Sequence, residues 1–201
     1  MEENSQPHYL TNRKKHLLSL ALTPLFTVLM IVSAKISIPM PILPITFQVT
    51  AAILSGLLLG ARLGFLSQVL YLIMGLAGLP VFTKGGGIEY VFSGSFGYII
   101  GFCFCALFGG LLADWSDKKL KGKSPRFLVL LGISFASLIM CYLFGVFYLY
   151  FLSNFYTEFS GSKDAAILTI LYGAAPYLLK DIILSVLAAE LARRLWRFRT
   201  R

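Results

Sequence analysis

Five long stretches of this chain contain no aspartate, glutamate, lysine or arginine. They cover residues 17–34, 36–61, 63–83, 90–113 and 127–157. Each is long enough for the roughly 20 residues that a helix needs to cross a hydrocarbon core of about 30 Å. Only 13% of the chain is charged, against about 25% in an average soluble domain. The runs do not alternate as barrel strands do, so we expect an all-α integral membrane protein.

The sequence predicts one membrane domain over residues 1–201 with six transmembrane helices. The expected spans are 17–36, 45–60, 63–79, 95–113, 127–151 and 176–196. They leave outer loops at 37–44, 80–94 and 152–175, and a cytoplasmic loop at 114–126. We place the start of the last span at Pro176 rather than Ala165, because proline is favoured in the first helical turn and disfavoured inside a helix. This start lifts Lys180 and Asp181 towards the outer surface.

The positive charges fix the expected orientation. With the N-terminus inside, fourteen of the 18 lysines and arginines fall on the inner side. Such a bias is typical of cytoplasmic segments, so we expect both termini in the cytoplasm. The net charge of +9 then reflects topology and contact with anionic membrane lipids, and no nucleic acid partner is expected.

Few ionisable residues remain in or beside the spans. They are Lys35, Lys180 and Asp181, all near the predicted outer face. Charges in a membrane usually mark function, and an apolar cleft with a few polar groups is typical of a small-molecule site. The alternative is that the lysine and aspartate reach the interface or pair elsewhere, while nearby aromatic residues form an ordinary belt. The residues alone leave both interpretations open.

Enzyme chemistry has little support in the sequence. No span holds two neighbouring carboxylates, and both histidines, His8 and His16, precede the first span. Residues 122–124 read Gly-Lys-Ser, but Asp117 stands where a phosphate-binding loop needs its first glycine. We therefore expect no catalytic residues, no cofactor, no metal and no ATPase activity in this chain.

Several segments resemble one known family. They are Pro44-Ile-Thr-Phe-Gln48, Leu57-Leu-Leu-Gly-Ala-Arg-Leu-Gly64, Tyr71-Leu-Ile-Met-Gly75, Gly78-Leu-Pro-Val-Phe82, Phe96-Gly-Tyr-Ile-Ile-Gly-Phe102 and Pro176-Tyr-Leu-Leu-Lys-Asp181. Their order and spacing resemble the BioY family, the substrate-binding S-components for biotin in energy-coupling-factor (ECF) transporters. The resemblance implies a six-helix S-component bundle in the bacterial cytoplasmic membrane. It also implies a separate transmembrane coupling subunit and two ATPase subunits as partners.

The resemblance implies a biotin site near the outer surface. Its candidate residues are Gln48, Tyr71, Phe82, Lys84, Gly86, Tyr90, Phe92, Ser95, Tyr98, Tyr177, Lys180 and Asp181. Asp181 would accept ureido N–H bonds, with Gln48 or Ser95 completing the set. Either Lys180 or Lys84 would hold the tail carboxylate, and aromatic side chains would flank the ring and the alkyl chain.

The chain departs from the family pattern at three places. Leu184 stands where many members have a lysine three residues after the aspartate, and here a lysine precedes the aspartate instead. Residues 93–95 read Ser-Gly-Ser where members often have Gly-Pro-Thr/Ser. On the first helix only Ser19 and Thr23 suggest the small-residue face that serves coupling in the family. Two alternative functions therefore remain: an S-component for another small vitamin or precursor, and a membrane enzyme acting on lipid head groups.

Overall fold

The computed structural model describes residues 8–38, 45–120, 125–160, 164–196 and 199. Side chains are described at 21–38, 45–120, 125–152, 154, 177–196 and 199. Within these ranges the chain forms five α-helices, two short strands and one 3-10 helix at Ile88–Phe92. The helices are α1 (His8–Lys35), α2 (Gln48–Leu76), α3 (Phe96–Lys119), α4 (Phe127–Ser160) and α5 (Asp164–Leu195). The structure is therefore mostly helical, as the sequence predicts.

Helix α2 reverses direction at Gly60. That residue has φ 80° and ψ −179°, a conformation that is almost restricted to glycine. Residues 48 and 71 would lie about 34 Å apart in a straight helix. Instead the Gln48 side-chain amide donates a 2.8 Å hydrogen bond to the Tyr71 hydroxyl. Helix α2 is thus an antiparallel hairpin, and its turn lies at Gly60, the last residue of the predicted span 45–60.

The α2 hairpin packs most extensively against α3. A side chain at Gly56 would place its Cβ only 2.5 Å from the backbone oxygen of Ala106 on α3. Gly56, Gly60 and Gly64 are spaced by four, a pattern that lets backbones approach closely where helices cross, and such an approach is present at Gly56. The bond from Thr27 Oγ1 to the Ser67 carbonyl, at 2.9 Å, joins α1 to the second half of the hairpin.

One end of the bundle carries the loops after α1 and α2; we call it the pocket end. Strand β1 (Ser37–Ile38) pairs antiparallel with strand β2 (Ile45–Thr46), with Ser37 opposite Thr46. The predicted outer loop 37–44 therefore begins as a strand, and its residues 39–44 lie outside the described part of the chain. Lys35, at the end of α1, donates a 2.9 Å bond to the backbone oxygen of Phe82 and so joins α1 to the second loop.

The opposite end contains the turn of α2; we call it the Gly60 end. Arg199 is buried there and forms an ion pair with Asp114 and a longer one, at 3.4 Å, with Asp117. Its Nε also donates a 2.9 Å bond to the Leu57 carbonyl. Asp114 in turn accepts a bond from the backbone N–H of Ala61. Arg199 is therefore more than one of the basic residues of the expected inner side, because it joins the C-terminal residues to α2 and α3.

Three helical segments in the described part of the chain are long and apolar enough to cross a membrane. They are Gln48–Leu76, Phe96–Lys119 and Phe127–Leu152, and a shorter apolar segment covers Ala21–Lys35. Many large apolar side chains on these helices are exposed, among them Leu25, Ile139 and Phe147. Exposed apolar surface on long helices is what a lipid environment requires. The fold is that of a multi-pass membrane protein.

Several predicted helix boundaries are wrong. Helix α5 begins at Asp164 and runs through Pro176, so the proline does not start the helix. Helix α4 continues to Ser160, which makes much of the predicted loop 152–175 helical. Helix α3 continues to Lys119, into the predicted loop 114–126. Helix α3 continues beyond its charge-free run, because polar residues after the run can keep helical geometry outside an apolar layer.

Candidate ligand-binding site

A cavity of about 500 Å³, including its open mouth, lies at the pocket end. Strand β2, the starts of α2 and α3, the second loop, α4 and α5 all contribute to its wall. The lining residues are Thr46, Gln48, Val49, Thr83, Tyr90, Ser95, Tyr98, Ile99, Phe102, Tyr142, Tyr177, Lys180 and Asp181.

Asp181 on α5 is the most buried charged group in this wall, with 3% of its surface exposed. Its Oδ2 accepts a 2.7 Å hydrogen bond from the Tyr142 hydroxyl. Its Oδ1 lies 2.7 Å from Lys180 Nζ, although no well-aligned hydrogen bond reaches Oδ1 within the described residues. A buried carboxylate oxygen that is paired by charge but not by a directed bond can still accept an N–H from a ligand.

Lys180 connects the cavity to the first loop. Besides its contact with Asp181, its ammonium donates a 2.7 Å bond to the backbone oxygen of Thr46. An ammonium has three N–H donors, so one remains for a ligand. Although adjacent helical residues point about 100° apart, the long lysine side chain bends back towards the carboxylate. The lysine that precedes the aspartate therefore does reach the cavity.

Gln48 is held from two sides at the start of α2. Its Nε2 donates to the Tyr71 hydroxyl, and its Oε1 lies 3.5 Å from the Thr83 hydroxyl, which donates to it. Because both flanking groups belong to the second half of α2 and the loop after it, the amide is fixed in orientation. The second N–H of the amide is available to an acceptor in the cavity.

The 3-10 helix and the start of α3 form an adjacent wall. The Ser95 hydroxyl donates to the Tyr90 hydroxyl at 3.1 Å and lies 2.9 Å from the Ser93 hydroxyl. Phe82 lies behind this wall, with its ring centroid 4.6 Å from that of Tyr90. The rings of Tyr98 and Tyr142 meet edge to face at 5.6 Å, and the buried Tyr98 hydroxyl has no hydrogen-bond partner within the described residues.

The structure brings seven of the twelve predicted site residues to the cavity wall. They are Gln48, Tyr90, Ser95, Tyr98, Tyr177, Lys180 and Asp181. The other five lie elsewhere. Tyr71 and Phe82 are fully buried behind the wall, where they support Gln48 and Tyr90. Lys84, Gly86 and Phe92 are on the second loop, at its exposed surface.

Six lining residues are absent from the sequence prediction: Thr46, Val49, Thr83, Ile99, Phe102 and Tyr142. Five of them had a signal in the sequence. Thr46 and Val49 flank Gln48, and Ile99 and Phe102 follow Ser95 and Tyr98 by four residues, which places them on the same face of α3. Thr83 directly follows the segment ending at Phe82. Tyr142 had none, because the same apolar span contains several other tyrosines and serines and nothing in the sequence distinguishes it from them.

The donors and acceptors in this cavity are suited to binding rather than to a covalent reaction. The carboxylate, the ammonium and the Gln48 amide lie among tyrosine rings and apolar side chains. Within the described residues, no group of three or more histidines, cysteines, aspartates or glutamates is placed to hold a metal ion. A small ligand with both N–H donors and a carbonyl acceptor would match these groups.

Comparison with known proteins gives consistent results. The chain is 38% identical over 185 residues to a probable biotin transporter BioY of Lysinibacillus sphaericus, covering 92% of this chain and 90% of that protein. It is 36% identical over 172 residues to the biotin transporter BioY of Thermotoga maritima, covering 85% and 91%. A probable biotin transporter BioY of Pyrococcus horikoshii is 35% identical over 176 residues, covering 87% and 94%.

A solved structure shares the fold. It is the crystal structure of the S-component for biotin from an ECF-type ABC transporter, with a TM-score of 0.66 and 25% identity, covering 98% of this chain and all of that one. The sequence profile of the BioY family matches residues 5–201. With nearly its whole length matched, this chain belongs to the BioY family.

Proposed function

We propose that this chain binds biotin and is the substrate-binding S-component of an ECF-type biotin transporter. The observation that carries the proposal is the cavity around Asp181, Lys180 and Gln48 in a chain that belongs to the BioY family. The protein is a transport protein and not an enzyme. Its relatives and its structural neighbour are named as biotin transporters or biotin S-components.

The ureido ring of biotin fits the polar part of the cavity. Its two N–H groups are donors, and Asp181 Oδ1 is the acceptor that has no directed bond within the described residues. Its carbonyl oxygen needs donors, which the free N–H groups of Lys180 and Gln48 supply. We therefore place the ureido ring against α5 and the start of α2, with the apolar thiophane ring among Tyr90, Tyr98 and neighbouring side chains.

The tail carboxylate points towards the mouth of the cavity in this arrangement. Lys180 is already paired with Asp181 at 2.7 Å, so it belongs with the ureido ring. Lys84 is the other lysine considered for the tail carboxylate. It is exposed on the second loop, so we assign the tail carboxylate to it. A contact at an exposed site contributes little affinity, about 1 kcal/mol or less.

The six-span topology with both termini in the cytoplasm is part of the proposal. The reversal at Gly60 divides α2 into two antiparallel segments, which supports six spans from five helices. Helix α5 has 32 residues, about 48 Å, so it exceeds a hydrocarbon core of about 30 Å. Entry into the membrane at Pro176 thus remains a prediction. The positive-inside bias places the Gly60 end in the cytoplasm and the pocket end outside.

The proposed partners follow from the same assignment. An S-component of an ECF transporter binds the substrate, while a transmembrane coupling subunit and two ATPase subunits supply the ATP-driven step. We propose those partners, a bacterial cytoplasmic membrane with its lipids as the location, and no nucleic acid contact.

A binding titration tests the function. Protein purified in detergent is titrated with biotin, and with lipoate as a ligand that has an acyl tail but no ureido ring. Saturable binding of biotin without binding of lipoate is the expected result. Binding of another vitamin in place of biotin would keep the transport fold but change the substrate. Binding of neither would contradict the proposal and reopen an enzyme acting on lipid head groups.

A further inference from the structure

The two oxygens of the Asp181 carboxylate have different surroundings. Oδ2 accepts the 2.7 Å bond from the Tyr142 hydroxyl, which fixes the plane of the carboxylate. Oδ1 faces the Lys180 ammonium at 2.7 Å without a well-aligned hydrogen bond. Oδ1 therefore keeps more of its acceptor capacity for a ligand than Oδ2 does.

The charges around that oxygen are nearly balanced. The Asp181 side chain is 4% exposed and the Lys180 side chain 24%, so water screens their interaction only in part. A neutral N–H donor that approaches Oδ1 gains a hydrogen bond without opposing the nearby ammonium. A cation of the same shape meets the lysine charge at close range, and its approach is disfavoured.

We propose that Tyr142 is a positioning residue that makes the pocket select a neutral N–H donor over a cation of the same shape. By holding Oδ2, Tyr142 keeps Oδ1 beside Lys180 and prevents the carboxylate from turning towards the ligand with both oxygens. This inference rests on the proposed function, since it concerns how the same pocket distinguishes biotin from charged analogues.

Tyr142 is itself held in place for this role. Its ring meets the edge of the Tyr98 ring at 5.6 Å with an interplanar angle of 88°, as aromatic pairs prefer. Its position on α4 places it in the cavity wall beside Asp181 of α5. Because the ring is packed and the hydroxyl bonded, removing the hydroxyl alone should free the carboxylate without moving the helix.

The test compares biotin with 2-iminobiotin, in which an imino group replaces the ureido oxygen and forms a guanidinium cation at neutral pH. Both ligands carry N–H donors in the same ring. We expect the wild-type protein to prefer biotin, and Tyr142→Phe to reduce the ratio of the two affinities about tenfold, the effect of one hydrogen bond to a charged group. Tyr150→Phe is the matched control: the same change on the same helix, at a side chain that is 49% exposed.

A general loss of packing would weaken both ligands equally and leave the ratio unchanged; that result would overturn the role of Tyr142. Tyr142→Met also lacks the donor and carries the same expectation, so the test does not depend on one variant folding. If wild-type protein binds biotin but both Tyr142 variants keep the wild-type ratio of biotin to 2-iminobiotin affinity, this inference alone is contradicted. Wild-type protein that binds neither ligand contradicts the proposed function and this inference with it.

Discussion

Both ends of the bundle contain an aspartate next to a basic side chain, but the two pairs differ in how their bonds are completed. At the Gly60 end, the Arg199 side chain is 1% exposed and contacts Asp114, Asp117 and the Leu57 carbonyl. At the pocket end, Asp181 Oδ1 faces Lys180 without a directed hydrogen bond and borders a cavity. The first pair joins α2, α3 and the C-terminal residues, whereas the second leaves a buried acceptor without a directed bond in the cavity wall.

The difference distinguishes a charge pair that stabilises the fold from one that binds a ligand: the criterion is whether the protein itself supplies the hydrogen bonds of the buried charges. Burial of charge is costly, and protein partners offset that cost only when the geometry supplies enough hydrogen bonds. The Arg199 group obtains those bonds from the protein. The Asp181 group leaves part of its bonding capacity to a ligand, so loss of its charge should affect binding more than stability.

Asp181→Asn should give the largest effect. The amide presents an N–H group where the ureido N–H groups need an acceptor, so we expect biotin affinity to fall at least ~100-fold, about 2.8 kcal/mol. The melting temperature should change little, because Lys180 can extend towards water. Asp117→Asn is the matched substitution at the Gly60 end, and its biotin affinity should stay within about twofold of wild type by calorimetric titration.

Arg199→Gln should reverse that pattern. Removing one partner of a buried pair typically costs about 3–5 kcal/mol; we expect about 2 kcal/mol here, because the Asp114 side chain is 42% exposed. Thermal unfolding measures the loss. Arg194→Gln removes another arginine near the same end, with a side chain 74% exposed, and should leave stability almost unchanged. Equal melting temperatures for the two variants would mean that the Arg199 contacts are not structural.

Lys180→Met should have an intermediate effect on binding. It removes both the donor to the Thr46 carbonyl and the proposed donor to the ureido oxygen, so the first loop is held less firmly over the ligand. We expect biotin to dissociate about tenfold faster, by a competition assay with labelled biotin. Lys119→Met, an exposed lysine at the Gly60 end, should dissociate at the wild-type rate. An unchanged rate for Lys180→Met would remove the lysine from the site.

Tyr71→Phe should have the smallest effect. The Tyr71 hydroxyl does not line the cavity but accepts the 2.8 Å bond that orients Gln48. A neutral hydrogen bond contributes about 0.5–1.5 kcal/mol, so we expect a loss of roughly three- to tenfold in biotin affinity. A loss as large as that of Asp181→Asn would instead place Tyr71 in contact with the ligand.

Much of the fold could be predicted from the sequence, because charge-free runs and the positive-inside bias depend on composition. The helix ends could not. Helix α5 passes through Pro176 because a proline that follows a helical turn does not by itself stop the helix when packing on neighbouring helices continues. The predicted spans 45–60 and 63–79 placed the turn of α2 after Gly60. The sequence does not show that Gly60 itself takes the positive φ of the turn.

The site was predicted where polar residues stand out in apolar surroundings. Asp181, Lys180 and Gln48 are of this kind, and the structure brings all three to the cavity. Phe82 was expected to flank the ligand but lies behind Tyr90. The sequence does not distinguish an aromatic side chain that lines a cavity from one that packs behind the lining. Tyr142 could not be found, since only the packing of α4 against α5 shows that its hydroxyl meets Asp181.

The most direct test of the comparison is the stabilisation that biotin gives to each variant. A ligand that binds the folded state stabilises it by an amount that grows with the logarithm of its concentration relative to the dissociation constant. At one biotin concentration well above the wild-type dissociation constant, wild type and Arg199→Gln should show similar upward shifts from different starting temperatures, and Asp181→Asn should show a much smaller shift. A shift in Asp181→Asn equal to that of wild type would contradict the assignment of the pocket end as the biotin site.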